Sequence, residues 1–384
     1  MTTQGDNSSM LRRSLLGALP AMAALAACRS GASGTAAVPG PGTADSTAQG
    51  ASRQVPARQA GVDLPVQPQG HVLLSVYGLP ARAGLAPAVA RVGEVLLEAL
   101  GVLRKEAEAA DLTVTVGLGP RVAALAGRGV PGGLELPAFA REERSDRTWG
   151  GDLMVQVCGR DAAAVVLADE RLGETVAAEG ASRRWSQAGF RLPGNGPVRN
   201  LLGFPDGIEN PRTRSELDRE VWLDGPGPFA GGTVAVVRRL RVDVPGFLAQ
   251  SPVRQEEVIG RRKGDGAPLS GGGPSGRLDL SAKSARGRYL VPAMAHARRA
   301  NPNATGSGRM LRRGYDYRNG PDDQGLLFVS FQRRLRTFTA TQRRLDEGDD
   351  LMRFVTATAS GAFYVPPAFT PERPLGAELL GERS

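Results

Sequence analysis

The sequence predicts an α+β fold built from two ferredoxin-like halves, in which antiparallel sheets carry their helices on the outside. Before residue 192, strand-like and helix-like segments follow the order β-α-β, β-α-β, which is the split βαβ arrangement. After residue 211 the elements roughly repeat that order, although no repeat of the sequence itself is readable. The 384 residues and 41% apolar content are enough for such a molecule with a sizeable core.

The first half is predicted from two kinds of periodicity. Strand segments are short apolar and β-branched runs with partial alternation, whereas helical segments repeat apolar residues every three or four positions. Together they make two successive β-α-β units. The predicted strands are 71–78, 112–118, 152–158 and 185–192, and the predicted helices run from 87 to about 110 and from 161 to about 178.

The second half repeats the pattern with an interruption. An irregular insertion covers about residues 256–322, and a loop of that length is usually functional or disordered. The predicted strands are 232–242, 325–332 and 361–365, and the predicted helices are 245–250 and 335 to about 356.

The first 28 residues have the pattern of an export signal. Arg12 and Arg13 precede an apolar run that ends at Ala27 and is too short to span a bilayer. This pattern resembles a twin-arginine (Tat) signal, which exports proteins already folded. The segment ending at Cys28 also resembles a lipobox, so Cys28 is either lipidated or discarded by ordinary cleavage. We therefore expect an extracellular or cell-envelope protein, anchored in the first case to the outer face of the cytoplasmic membrane.

Composition divides the remaining chain into four parts. Residues 29–66 are rich in Gly, Ala, Ser, Pro and Thr and predict a disordered tether. The two halves are predicted at 67–211 and 212–372, followed by a tail at 373–384. Without Cys28, Cys158 is the one remaining cysteine, so no internal disulfide can form.

The charge balance narrows the partners only slightly. The net charge of +9 is carried mostly by arginine and suits anionic partners, although arginine, alanine and glycine together also indicate a GC-rich genome. The chain has 3 Trp, 5 Tyr and 11 Phe, no Cys/His finger spacing and no basic helix with interleaved aromatics. We expect no nucleic-acid partner.

One stretch, residues 203–211 (GFPDGIENP), combines a shaped backbone with two carboxylates. Gly203 and Gly207 favour a defined turn, and Asp206 and Glu209 are held on it. Neighbouring apolar residues would bury one side of the turn, and a carboxyl in that setting can have a raised pKa. The alternative is an ordinary turn in which Asp206 caps a helix.

Histidine is scarce, which limits the chemistry. The chain has only His71 and His296, without a second metal-ligand cluster, so a zinc site is poorly supported. No nucleophile elbow, phosphate loop or dinucleotide fingerprint occurs in its required context. A single histidine with a separate aspartate and arginine suits a haem enzyme better, although spacing alone does not prove it.

Six segments together resemble the dye-decolourising (DyP-type) haem peroxidases, in the exported subgroup that includes the deferrochelatases. The resemblance covers the folded body from about residue 67 to 370, including the GxxDG signature that ends at Gly207. The segments are 184–190, 200–207, 259–269, 296–302, 310–315 and 325–333.

The resemblance implies roles for individual residues. Asp206 would be the distal acid-base residue, Arg312 the distal arginine and His296 the proximal iron ligand. It also implies a dimeric α+β barrel type of fold and one haem b per chain, held mainly by the C-terminal half. The remaining implied haem contacts are Arg261, Lys263, Phe328, Phe331 and Gly207.

The sequence departs from the family pattern at two positions. Relatives often carry a carboxylate near the proximal histidine, where this chain has Arg353. Asp349 or Asp350 could take that place. Gly314 stands where some subgroups place a polar distal residue.

The expected function is an exported haem peroxidase that reduces hydrogen peroxide and oxidises bulky organic donors. Electrons could pass through surface aromatics such as Tyr315 or Trp222, although simple packing explains those residues better. One alternative is a deferrochelatase-like haem-binding protein that releases iron and has iron-uptake partners. Another is a ferredoxin-like binding module without haem. Assembly as a homo-oligomer stays open.

Overall fold

The computed structural model describes residues 57–80, 84–106, 111–191, 198–274 and 276–380. The export signal, Cys28 and most of the predicted tether therefore lie outside the described residues. Within the described ranges, no helix combines the length and apolar character needed to cross a membrane.

The N-terminal half has two β-α-β units, as the sequence predicts. A four-residue helix and a 3-10 turn follow the second strand, and a long loop leads from there to the third. In chain order the elements are β1 (His71–Gly78), α1 (Leu85–Glu106), β2 (Thr113–Leu118), α2 (Pro120–Ala123), β3 (Leu153–Gly159), α3 (Ala162–Ala178) and β4 (Ser182–Phe190).

The C-terminal half adds five strands and seven helices within the described residues. The elements are α4 (Arg214–Glu220), β5 (Thr233–Val242), α5 (Val244–Leu248), α6 (Pro252–Ile259), α7 (His296–Arg299), α8 (Pro302–Thr305), β6 (Leu311–Arg312), β7 (Tyr315–Arg318), β8 (Gln324–Gln332), α9 (Leu335–Glu347), β9 (Val355–Val365) and α10 (Ala377–Leu380).

The strands of the two halves close into one antiparallel barrel. Strands β5, β9, β2, β3, β1, β4, β7 and β8 are hydrogen-bonded in that order, and β8 also pairs with β5. Strand β6 lies against β8 beside β7. The halves meet at two narrow seams, Leu118 opposite Tyr364 and Phe190 opposite Asp316. This confirms the predicted α+β fold.

Alternation along the strands sorts apolar side chains between the barrel interior and its outer faces. The interior cluster joins both halves and includes Val72, Leu74, Val237 and Phe331. On the N-terminal side, α1 and α3 cover the outer face. On the C-terminal side, α9 packs on β5 and β8 through Phe338.

The predicted helix from 335 to about 356 is too long. Helix α9 ends at Glu347, a 3-10 turn covers Leu351–Phe354, and β9 begins at Val355. The β-branched residues that follow the turn favour a strand. Two aspartates between the helix and the turn bond to other elements, and these contacts override the helical pattern.

The predicted tether and tail are shorter than the sequence suggests. Gln59 donates hydrogen bonds to the carbonyls of Val116 and Pro366, and Val62 is fully buried in the barrel interior. At the other end, Leu375 and Leu379 join the core beneath the N-terminal helices. A composition average over either segment hides these few anchoring side chains.

The docked C-terminal segment should contribute measurably to stability. Leu379→Ala removes a side chain that is 1% exposed and should lower the free energy of unfolding by about 2–5 kcal/mol. Leu167→Ala, at a site 71% exposed on α3, is the matched control and should change it by less than about 0.5 kcal/mol. Denaturant titration of both variants checks this, and equal midpoints would show that the segment is not docked in solution.

Candidate active site

The turn at residues 203–207 is fixed by backbone conformation and one side chain. Gly203 and Gly207 have φ of 84° and 75°, a left-handed conformation that other residues rarely adopt. The Asn200 side-chain oxygen accepts hydrogen bonds from the backbone of Leu202 (3.1 Å) and Phe204 (3.2 Å). The loop therefore has one defined shape up to its carboxylate.

Asp206 lies beside Arg312. The Gly207 N–H donates to Oδ1 of Asp206 at 2.6 Å, and Nη2 of Arg312 lies 3.8 Å from the same oxygen. Within the described residues, Oδ2 accepts no hydrogen bond. The two side chains are 28% and 30% exposed, so a small molecule can reach both.

The structure distinguishes between the two adjacent arginines. Arg313 is 3% exposed and donates to the carbonyl of Pro65, away from the turn. Arg312 is instead tied to the turn through Asn210, which exchanges two hydrogen bonds with its backbone (2.8 and 3.1 Å). Asn210 thus holds the acid and the cation in register.

Strand pairing defines which side chains share the face of Arg312. Directly opposed residues of antiparallel strands project to the same face. Arg312 is opposite Ser330 and Asp316 is opposite Leu326, so these residues and Phe328 line one outer face of the barrel. Leu326 and Phe328 are each partly exposed there.

Phe331 lies on the opposite face. It is fully buried and belongs to the barrel interior with Leu311. Residues three apart in a strand project to opposite faces, so Phe328 and Phe331 do not line the same pocket. The predicted haem contact at Phe331 is therefore wrong for a site at Arg312, whereas Phe328 stays a candidate.

Gly314 also belongs to this face, where some subgroups of the family have a polar residue. The space around it is too small for a larger side chain. A Cβ at this position would lie 3.1 Å from Cδ1 of Leu326 and 3.3 Å from the carbonyl oxygen of Leu327. A larger polar residue here would require Leu326 to move.

His296 begins α7, and its ring is oriented by a buried carboxylate. Nδ1 lies 2.6 Å from Oδ2 of Asp349, whose side chain is fully buried and also accepts from the Leu351 N–H. With Asp349 ionised, the bond requires a proton on Nδ1, which leaves the Nε2 lone pair available to a ligand. Asp350 bonds instead to Arg254. Asp349 is therefore the carboxylate beside the histidine in this chain, which has Arg353 at the position expected for it.

A loop at residues 260–266 lies against two segments of the site, the residue before His296 and the turn at residues 203–207. A Cβ on Gly260 would lie 3.1 Å from that of Ala295, the residue before His296. A Cβ on Gly266 would lie 3.0 Å from Pro205, the residue before Asp206. The loop therefore passes close to both segments, with little room for a larger side chain at either glycine.

Both predicted cationic haem contacts already have protein partners. Arg261 is 6% exposed and pairs with Glu209 at 2.5 Å, while burial lowers the pKa of its guanidinium. Lys263 donates to Gln255 at 2.8 Å and lies 5.7 Å from the Phe204 ring. Their roles as haem contacts stay predictions. Glu209 acts as the structural partner of Arg261.

The aromatics suggested as surface electron carriers are not on the surface. Trp222 is fully buried and donates to Asp63 at 3.0 Å. Tyr315 is 1% exposed, and its hydroxyl lies 3.5 Å from Sγ of Cys158. Both residues belong to the barrel interior, so that part of the expectation is wrong.

Comparison with known families decides the class of protein. The family models described as Dyp-type peroxidase, N-terminal, and Dyp-type peroxidase, C-terminal, match residues 87–191 and 197–370. The chain belongs to the Dyp-type peroxidase family. As a member, it is a haem-dependent peroxidase.

Individual relatives agree with this family. A dye-decolorizing peroxidase of Thermobifida fusca is 36% identical over 71% of this chain and 68% of its own. A deferrochelatase of Escherichia coli K12 is 32% identical over 56% of this chain, which spans about half of that relative's length (55%). The structure of a DyP-type peroxidase from Streptomyces coelicolor superposes with a TM-score of 0.76 and 33% identity, covering 85% of this chain and 96% of that one.

The residues of this site fit the haem of a DyP-type peroxidase. His296 offers Nε2 with an anionic partner behind the ring, which suits a proximal iron ligand. Asp206 offers an unbonded carboxyl oxygen, and the Arg312 guanidinium donates no hydrogen bond within the part of the chain described. Leu326 and Phe328 offer apolar surface on the face of Arg312.

Three residues of the site, Asn210, Leu326 and Asp316, are absent from the sequence expectations. Asn210 follows the turn, and nothing in its local sequence marks it as a bridge to Arg312. The even spacing of Leu326 and Phe328 in a strand was a usable signal. Asp316 is 5% exposed, and burial together with the charge of Asp206 raises its pKa to about 6.

Replacing Asp349 should change the electronic properties of the proximal ligand. Asp349→Asn removes the negative partner of Nδ1, so the haem reduction potential should rise and haem affinity should fall by about 10–100-fold. Asp350→Asn is the control, because Asp350 bonds to arginines rather than to the histidine. Spectroelectrochemistry and haem-transfer assays measure both, and equal potentials in the two variants would contradict the assignment.

Proposed function

We propose that this DyP-type peroxidase reduces hydrogen peroxide at one haem b per chain and oxidises a bulky organic donor. Asp206 acts as the distal acid-base group, Arg312 as the distal cation and His296 as the proximal ligand. The observation that carries the proposal is the Asp206–Arg312 pair, partly exposed, 3.8 Å apart and held by Asn210. The Asp349 contact at Nδ1 of His296 supports the proximal role.

The haem supplies the redox-active iron at which peroxide is reduced. Oδ1 of Asp206 is held by the Gly207 N–H, so Oδ2 would take a proton from one oxygen of hydrogen peroxide and return it to the other. That second oxygen would leave as water when the O–O bond breaks, with the electrons for the reduction supplied by the haem. Arg312 stabilises the negative charge that develops during this cleavage.

His296 would hold the haem iron through Nε2, while Asp349 is bonded to the other ring nitrogen. The proton on Nδ1 stays shared with the buried carboxylate, which increases electron donation from Nε2. Leu326 and Phe328 exclude water from the same face as Arg312, which strengthens the electrostatic effect of the guanidinium. The donor class rests on the name of the Thermobifida fusca relative, a dye-decolorizing peroxidase.

A second function uses the same residues. Several curated relatives are deferrochelatases, at 32–34% identity over 56–60% of this chain, which supports haem binding in the service of iron uptake. The two functions differ in product: a peroxidase yields oxidised donor and intact haem, whereas a deferrochelatase yields free iron and intact porphyrin. Chromatography of the pigment after incubation with peroxide and donor separates them.

We also propose export through the Tat pathway, with Cys28 as a lipid-anchored first residue. The support is the Arg12-Arg13 pair before the apolar run and the small residues before Cys28. Mass spectrometry of the mature N-terminus tests this. A diacylglycerol adduct on Cys28 is expected, and an intact N-terminus in the cytoplasm would contradict export.

Variants of the haem-loaded protein test the catalytic roles. Asp206→Asn and Arg312→Leu should keep the Soret band but slow the spectral change after mixing with peroxide by about 100-fold or more. His296→Ala should alter the Soret and ligand-field bands before any peroxide is added. Exposed Asp322→Asn and Arg318→Leu are matched controls and should react at the wild-type rate.

Stopped-flow absorbance measures these rates. Wild-type rates in both Asp206→Asn and Arg312→Leu would exclude the distal roles. An unchanged spectrum in His296→Ala would exclude the proximal role.

A further inference from the structure

Residues 282–290, in the loop before α7, form a short hairpin. The Ser284 N–H donates to the carbonyl of Arg288 at 2.8 Å, and the Leu290 N–H donates to the carbonyl of Ala282 at 2.9 Å. Gly287 has a φ of 76°, the left-handed conformation that closes the turn. The hairpin therefore presents its side chains from a defined backbone, and every residue from 285 to 290 is exposed.

The base of the hairpin is held by one arginine of α7. Nε and Nη2 of Arg298 donate to the Val291 carbonyl at 3.0 and 2.8 Å, and Nη2 also donates to the Leu280 carbonyl at 2.8 Å. The same guanidinium lies 4.6 Å from the centre of the Tyr289 ring. The hairpin is therefore fixed to the helix that begins at His296.

The hairpin carries three cations and no acid. Lys283, Arg286 and Arg288 are exposed, and none of them forms an ion pair with another described residue. No aspartate or glutamate occurs between residues 280 and 294. Asp279, just before this range, accepts hydrogen bonds from the backbone at the start of the hairpin. The hairpin itself therefore presents only positive charge.

Large apolar side chains are exposed on the hairpin and beside it. Tyr289, Leu290 and Met294 are 47%, 38% and 46% exposed, and no other six-residue stretch of the described chain exposes three such side chains. The Lys283 ammonium lies 5.0 Å from the centre of the Tyr289 ring, so cations and apolar groups form one surface. This combination is typical of a surface that enters the headgroup region of an anionic membrane.

The chain before the described residues makes contact with a bilayer geometrically possible. Residues 29–56 separate Cys28, the proposed lipid-anchored residue, from the first described residue, Ala57. A flexible chain of that length has a root-mean-square end-to-end distance of about 30 Å. A domain of this size has a radius of gyration of about 20 Å, so any of its faces can reach the bilayer. The anchor alone would select no face, whereas a basic apolar hairpin would.

We propose that the hairpin binds an anionic lipid bilayer and so sets the orientation of the protein on the membrane. The cationic ends of Lys283, Arg286 and Arg288 contact lipid phosphates, while Tyr289 and Leu290 enter the boundary between headgroups and acyl chains. The side of the molecule that carries α7 then faces the bilayer. None of these five residues takes part in the proposed reaction with peroxide, so this proposal can fail without affecting that function.

Vesicle binding of the haem-loaded full-length protein tests the charged part of the surface. Every protein carries Cys28→Ser, which prevents lipidation, and the vesicles contain phosphatidylglycerol and phosphatidylcholine. Arg286→Ser with Arg288→Ser should lower partitioning by about 25-fold, because each cation near an anionic surface contributes about fivefold. Arg336→Ser with Arg343→Ser removes the same charge from the exposed face of α9 and should lower it by less than about threefold.

A leucine variant and hydrogen exchange test the apolar part and the location of the contact. Leu290→Ser should lower partitioning by about fivefold, whereas Leu167→Ser, on the exposed face of α3, should leave it unchanged. Adding vesicles should slow amide exchange in residues 282–290 of the wild type but not of the double arginine variant. All variants should keep the wild-type Soret band, which shows that the haem-loaded fold is intact.

Three results would overturn the proposal. Equal losses in the two double arginine variants would show that only net charge matters. Unchanged exchange in residues 282–290 would show that lipid contacts another part of the chain. Full binding by Leu290→Ser, together with equally strong binding of the wild type to polyglutamate, would indicate a surface for an acidic macromolecule rather than for a bilayer.

Discussion

The ion pair between the buried Arg261 and the partly exposed Glu209 is the contact on which the geometry of the site depends. Arg261 is 6% exposed, and it also donates to the Gly266 carbonyl at 3.0 Å, so it braces its own loop and the aspartate turn together. Removing Glu209 leaves the buried Arg261 guanidinium without its charged partner, which costs more than the net worth of the pair. The position of Asp206 is therefore coupled to a loop that also touches the residue before His296.

The barrel supplies the second constraint. Strand register places Arg312, Asp316, Leu326 and Phe328 on one outer face, because opposed residues project to the same side. The residues between them fill the interior and join the two halves. A shift of one residue in β8 would exchange these two sets, so the packing of the interior protects the chemistry of the outer face.

Much of this arrangement could be predicted from the sequence. Glycines mark the turn at Asp206 and scarcity marks His296, whereas the role predicted for Arg312 came from the family resemblance alone. The element order of the first half followed from periodicity, but α7, α8, β6 and β7 lie in the insertion that the sequence predicts to be irregular. The helix predicted to about residue 356 failed because its last part is a strand, where contacts of Asp349 and Asp350 interrupt the helical pattern.

Other features depend on contacts that are distant in sequence. Asp349 reaches His296 across 53 positions, and Asn210 reaches Arg312 across 102, so no local pattern reports either bond. In the sequence Asp316 is an ordinary polar residue of the long insertion, and its burial depends on the pairing of β7 with β4 and β8. Phe331 is different, because strand alternation was visible in the sequence and already separates it from Phe328.

The most direct test of the account is a double-mutant cycle on Arg261 and Glu209. Haem transfer to an acceptor protein and the rate of reaction with peroxide are measured for Arg261→Gln, Glu209→Gln and the double variant. If the pair holds the loop and the aspartate turn together, each single variant slows the peroxide reaction and weakens haem retention, and the double variant is no worse than the poorer single one. Effects that add in full, or variants that change neither quantity, would contradict the central role of this pair.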